Sequence, residues 1–565
     1  MPIAFPNYKV TQPDLAATTE RYSSFHSRLA AANSADDCLT VVADWDDLLC
    51  QVKEWSSLTY IRFQQDTRNE DYKAAIDELD AISPKYEDLE TKFKKALLDS
   101  PFRSELEAFL TPMLFEKWEC NTKSFAPAIE EDLASEAKLQ SAHTALTAGA
   151  EIEFQGKSFT ISELDQFGDA ADREAREGAC RANSRWFFEN SPELDRIYDE
   201  QVKLRHAMAR KLGYQNFTGL GYQRMTRIGY GPEEVETFRA EILDKVVPLA
   251  MEIATKQRAS LKVDKLMFWD HGTHSANGNP KPLGAHDWMV DRATEMFGEM
   301  GHGLDSFFEE MKNRDAMDLK SRKGKAGGGF CDFLHQYEFP FIFSNFNGTR
   351  GDVDVFTHEV GHAFQSYSSR NQPMSDIVWP TTEACEIHSM ALEFLTWPHM
   401  EKFYGENAAQ ELRRIHLSAY LQFLCYGVSI DHFQHLVYSK PDATPEERNA
   451  MWQEIEQTYL PWWDYADLPA ERSGRLWQQK PHIYQSPFYY IDYCLALTGA
   501  LQFWSKSRTD PDGTLKIYTE LCRLGGSKTY AGLLESAGLR SPFEAGCLDD
   551  VIRDAQSYLD STIEG

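Results

Sequence analysis

The sequence predicts a mainly helical protein with a small sheet placed just ahead of a histidine-bearing helix. Three observations carry that expectation. Apolar residues recur at three- and four-residue steps along most of the chain, the spacing of one buried helix face. Aromatic and β-prone residues crowd a single run, 330–348, which reads as strand. The segment that follows, DVDVFTHEVGHAFQSY at 352–367, returns to helical spacing. With 565 residues, 42% hydrophobic and 13% aromatic, the chain has material for a large core.

Taken in order, segments 12–33, 36–66, 70–98 and 101–117 read as amphipathic helices. EIEFQGKSFTI, 151–161, sets Gly156 between two short β-prone runs and reads as a hairpin. Helix resumes over 168–212 and ends at Gly213, a C-cap residue. Gly229, Gly231 and Pro232 open the next helix from about 233. The loops 268–284 and 319–330 are rich in glycine and charged or proline residues. Pro340, inside the aromatic run, suits an edge strand because it has no N–H for a second neighbour. There is no internal repeat.

The charge balance excludes some partners. Lysine and arginine number 58 against 88 acidic residues, a formal net charge of −30. Such a field repels nucleic acid and anionic membrane surfaces. Ten cysteines form no CxxC pair, so we expect reduced thiols packed as small hydrophobes. The first twenty residues lack a basic stretch followed by an apolar one, so no signal peptide is expected. The most apolar long window, 419–438, is interrupted by Asp431, His432 and His435 and reads as a buried helix. We expect a cytoplasmic protein.

Within HEVGH, His358 and His362 lie four residues apart, on one helix face. Both can present a ring nitrogen to one tetrahedral zinc, and Glu359 can reach a water on that metal. Gly361 costs the helix about 1 kcal/mol relative to Ala, which makes sense if something must approach closely. A catalytic zinc needs a third protein ligand. The extended pattern ending in a third histidine fails, since Gln365 and Ser368 occupy the decisive positions. Downstream, WPTTEACEIHSMALEFL, 379–395, reads as a helix capped by Thr381 or Thr382. It carries Glu383, Glu386 and Glu393 on one face. We assign Glu386 as the ligand, with Glu383 the alternative, and Glu393 as an acceptor for a ligand histidine. His388 and Cys385 point elsewhere on that helix. His432 and His435 read as structural.

HEVGH, followed by EIHSMALE, resembles the zinc oligopeptidases related to thimet oligopeptidase, and most of all oligoendopeptidase F and its relatives. FNGTRGDVDVFTHEVGHAFQ is similar over its full length, and ARKLGYQNFTGLGYQRM is also similar. The resemblance implies a clamshell of two helical lobes around a deep channel, with the small sheet beside the zinc helix. Region 1–205 would form part of the channel wall and 206–565 the catalytic region, as one continuous structural unit. It further implies one Zn2+ per chain, held by His358, His362 and Glu386. The implied reaction is hydrolysis of internal bonds in short unstructured peptides, with Glu359 as general base. The alternatives are a dipeptidyl carboxypeptidase with the same metal site and a non-catalytic peptide-binding protein. In the resembling family a histidine followed by a tyrosine cluster stabilises the transition state. The matching positions are His482, Tyr489 and Tyr493 in KPHIYQSPFYYIDYCLALTGA, 480–500. Peptides would lie extended along an edge strand ahead of the motif, starting from the glycines at 327–329.

Overall fold

The computed structural model describes residues 3–561 other than 323, with all their side chains except 148, 162 and 165. The protein is mainly helical, with five short strands among the described residues. The chain divides into two compact units. The first comprises Met1–Thr122, Lys281–Asn407 and Gly499–Ser541, the second Lys123–Pro280, Ala408–Thr498 and Pro542–Gly565.

In the first unit, helices Leu15–Ala30, Ala35–Gln65 and Glu70–Leu98 start on Asp14, Ser34 and Asn69, whose side chains accept the first free main-chain N–H groups. Their apolar faces close over Trp45, Phe93 and Trp118. The expected single helix over 101–117 is two helices, Arg103–Leu110 and Pro112–Ser124. Pro112 cannot donate to the preceding turn and forces Thr111 out of helical geometry, to φ 111°.

The aromatic run is a hairpin, β4 (Phe330–Leu334) and β5 (Phe339–Phe346), preceded by β3 (Met317–Lys320). The order is β3–β5–β4, with β3 parallel and β4 antiparallel to β5. Pro340 therefore lies in the central strand, against the edge position its ring suggested. Backbone alternation explains how it is tolerated. The Ile342 N–H donates to Ala316 O at 3.0 Å on the β3 side, so residue 340 addresses the same side. The β3 register begins opposite Ile342, so no ladder partner stands where Pro340 lacks its N–H. The edge next to the histidine helix is β4. By the same alternation, Phe330 and Asp332 turn their main-chain groups to β5, and Cys331 and Phe333 turn theirs outward.

The segment joining the two site-bearing helices is held by lysines from the N-terminal helices. Asp376 accepts from Lys53 Nζ at 2.6 Å and Trp118 Nε1 at 2.9 Å, and pairs with Lys94 at 3.3 Å. Burial pushes this carboxyl up, but Lys53 and Lys94 outweigh burial and hold it well below the usual range. Lys117 Nζ donates to the carbonyls of Asp376 and Trp379.

In the second unit, β1 (Ile152–Phe154) and β2 (Lys157–Phe159) pair antiparallel across Gln155 and Gly156. Both turn residues have positive φ, the geometry of a two-residue hairpin. The 39-residue helix Arg173–Lys211 buries Arg205, whose guanidinium meets Glu136 at 2.6 Å and the Tyr438 hydroxyl at 3.0 Å. All ten cysteines are free. No helix among the described residues is long and apolar enough to cross a membrane.

Candidate metal centre

The histidine helix spans Gly351–Ser368. Asp352 fixes its entry by accepting from the N–H groups of Asn347 at 2.9 Å and Gly348 at 2.7 Å. The glutamate helix, Thr382–Leu395, starts at Thr381, whose hydroxyl makes no capping bond. The two helices touch backbone to backbone at Gly361. A Cβ built there would stand 2.6 Å from Ser389 Cα and 2.8 Å from His388 O. Only glycine permits that approach.

At this crossing three donor atoms converge. His358 Nε2 lies 3.2 Å and His362 Nε2 3.4 Å from Glu386 Oε2. The ligand atoms of all three residues lie within 4.8 Å of one another. Both separations exceed the about 2.7–2.9 Å of a charge-assisted hydrogen bond. They match the edge of a tetrahedron with ligands at about 2.0–2.1 Å from its centre, about 3.3 Å. Two imidazoles and a carboxylate are a donor set suited to zinc. The arrangement is braced from behind. Glu393 Oε1 stands 2.8 Å from His358 Nδ1, which orients that ring. The Ser389 hydroxyl donates to Glu386 Oε2 at 3.0 Å. Burial pushes Glu386 up, but the two imidazoles outweigh it and hold the carboxyl well below its usual range.

Glu359 sits beside this cluster, 6% exposed, and its Oε2 is buried with no hydrogen-bond partner. Burial raises its carboxyl above the ordinary value, against the pull of His358 and His362. A buried carboxylate oxygen without a hydrogen-bond partner is costly. The residue leading into β4 comes close here as well: a Cβ at Gly329 would be 3.3 Å from Glu359 Oε1.

Comparison with known proteins gives the family. Residues 5–125 match the Peptidase M3 N-terminal domain, and residues 167–283 and 305–551 match Peptidase family M3. The chain belongs to peptidase family M3. Its sequence is 20% identical to Oligopeptidase PepF of Bacillus subtilis over 585 residues, covering 96% of this chain and 84% of the relative. The solved structure of Pz peptidase A with an inhibitor superimposes at TM-score 0.94 with 40% identity, over 99% of both chains. A protein assigned as oligoendopeptidase F from Bacillus anthracis follows at TM-score 0.89 and 41% identity, over 99% of this chain and 98% of that one.

Other candidate residues of this M3 peptidase divide clearly. Glu383 is fully buried and lies outside the three-residue metal cluster. His388 is a core residue outside the three-residue cluster. It is 0% exposed, its Nδ1 is 2.8 Å from Ala384 O, and burial lowers it to about 4. The Cys385 thiol faces Pro380 O at 3.5 Å. His432 and His435 meet the hydroxyls of Tyr459 and Tyr222. His482, Tyr489 and Tyr493 belong to the second unit, which does not contain the histidine pair. There the His482 ring stacks on Tyr489 at 5.8 Å and meets Tyr493 edge-on at 6.2 Å. The helix carrying Tyr493 starts only at Ile491. Tyr490, which precedes that helix, joins the cluster, with its ring centroid 5.0 Å from that of His482. The turn before that helix is held by Phe488, a buried residue at φ 69°. Its N–H donates to Gln434 Oε1 and its carbonyl accepts from Arg227, both at 2.8 Å. Sequence reasoning missed Ser389, although its position three residues after Glu386 puts it on the same helix face.

Proposed function

We propose that this M3 peptidase is a zinc-dependent oligoendopeptidase that hydrolyses internal bonds of short, unstructured peptides. The observation that carries this reading is the convergence of His358, His362 and Glu386, with the unpartnered Glu359 carboxylate beside it. When bound, zinc supplies Lewis acidity to water and to a peptide carbonyl. The chain's own residues do the rest. Glu359 receives a proton at its carboxylate and returns it to the departing amine. Glu393 keeps the His358 ring oriented, and Ser389 keeps Glu386 oriented. The outward main-chain groups of β4 offer hydrogen bonds to an extended peptide irrespective of its side chains.

The test joins metal analysis to activity on peptides blocked at both ends. About one zinc per chain is expected, with cleavage abolished by a strong chelator and restored by zinc. Cleavage between internal residues of a doubly blocked peptide separates an endopeptidase from a dipeptidyl carboxypeptidase, which requires a free terminus. Glu386→Ala loses the metal. If Glu383→Ala loses it instead, Glu386 is the wrong ligand.

His482, Tyr489 and Tyr493 are proposed, from the family resemblance, as donors to the oxyanion. Tyr489→Phe or Tyr493→Phe, whichever removes the donor, lowers kcat about 10²–10³-fold with the metal retained. Both variants turning over at the wild-type rate would remove the tyrosines from the mechanism.

A further inference from the structure

A cavity of about 290 Å³ opens off the edge of β4 in the first unit. Its walls include Lys53, Ser57, Asp332, His335, Asp376 and Trp379. One ring contact and the run of the chain place it near the metal centre. The Trp379 ring centroid is 6.3 Å from that of His362. Asp332 belongs to the strand whose preceding residue Gly329 abuts Glu359. A peptide lying along the β4 edge would project side chains alternately to either face, and this cavity is within reach of one of them.

The charges in the cavity do not cancel evenly. Asp376 is matched by Lys53, Lys94 and the Trp118 N–H. Burial, reinforced by Lys53, lowers His335 to about 3, so it is neutral at neutral pH. Asp332 is different. Its Oδ1 accepts the Phe333 N–H at 2.8 Å, and Ser57 hydrogen bonds to it. No cation pairs with it among the described residues. Behind it, the fully buried Glu54 carboxyl accepts the Gln336 N–H at 2.9 Å and adds no positive charge. Asp332 is half-buried, and burial raises its carboxyl above the ordinary value; a cation entering the cavity would offset that penalty. The indole of Trp379 adds an apolar and cation-attracting wall.

Building on the peptidase reading above, we infer that this cavity is a subsite for a lysine or arginine side chain of the substrate, with Asp332 as its specificity-determining carboxylate. The ammonium or guanidinium meets Asp332 and Ser57, and the aliphatic stem runs along Trp379.

A free peptide N-terminus carries the same cationic chemistry, so the test uses N-acetylated, C-amidated quenched peptides. These form a set identical except for Lys, Arg, Gln or Glu scanned through each position flanking the cleavage point. With the zinc-loaded enzyme, Lys and Arg at one position exceed Gln in kcat/KM by about 10-fold or more, and Glu falls below Gln. In Asp332→Asn the Lys-to-Gln ratio collapses towards one. Binding of the same peptides to Glu359→Gln shows the same order. If Gln serves as well as Lys at every position, or the ratio survives in Asp332→Asn, the subsite assignment is wrong and the hydrolytic reading stands. A Lys preference that appears only with free N-termini also overturns it. If Glu359→Gln binds with the Lys preference but the wild type cuts nothing, the subsite stands and hydrolysis falls.

Discussion

Glu359→Gln retains its zinc and folds normally, yet loses turnover by about 10³–10⁴-fold, equivalent to about 4–5.5 kcal/mol in the barrier. The expectation follows from what Glu359 does not touch. Its Oε2 is buried without a hydrogen-bond partner, so the isosteric amide breaks no bond on that oxygen. It also removes a charge that burial penalises, so the melting temperature stays level or rises. Metal content stays near one per chain because the three converging donors are His358, His362 and Glu386. KM for a blocked peptide changes little, since the lost group acts on a proton and does not hold the substrate. Metal analysis, thermal melting and steady-state kinetics on one preparation check all four statements. Retention of more than about a tenth of wild-type kcat would mean another base serves, because general-base removal costs at least about 10²-fold. A falling melting temperature would mean that Glu359 has a structural partner.

The proximity of His358 and His362 needed only helix geometry, since residues four apart share a face. The third donor required more. The sequence shows three glutamates on one downstream helix, but whether Glu383 or Glu386 faces the pair depends on how two helices cross. That is fixed by the close contact of Gly361 with Ser389, and only a vacant Cβ hinted at it. The small sheet ahead of the motif was legible from aromatic crowding. Its order was not, because Pro340 in a central strand is tolerated only through where β3 happens to begin. The break at Pro112 was available from local rules and was overridden by continuous apolar spacing. Asp332 was invisible as a candidate. Its significance depends on helix Ala35–Gln65 supplying Ser57, far away in sequence, and on cations that pair with Asp376 instead. Local periodicity reads elements and motif spacing well, and long-range charge matching hardly at all.

Gly361→Ala is expected to cost both the fold and the metal. On propensity alone alanine gains the helix about 1 kcal/mol. Packing opposes this, because the new Cβ would fall 2.6 Å from Ser389 Cα and 2.8 Å from His388 O. Both are backbone atoms, so no rotamer change relieves the overlap and the helices must separate. Overpacking of this kind costs about 1–3 kcal/mol, outweighing the propensity gain. The displaced segment carries Glu386 one turn away and Ser389, whose hydroxyl orients Glu386. Separation therefore spoils the converging geometry as well, and zinc affinity falls by about 10-fold or more. Gly298, within helix His286–Met300 and with nothing within 4 Å of its Cβ direction, is the control. Gly298→Ala raises stability by about 0.5–1 kcal/mol and leaves zinc binding as it was. Thermal melting and competitive zinc titration of the two variants decide the matter. If Gly361→Ala behaves like Gly298→Ala, the helix crossing does not set the metal geometry. If it melts early yet binds zinc at wild-type affinity, the crossing serves stability alone. A combined loss would separate the proposed role of Gly361, holding the donors together, from that of Glu359, handling the proton.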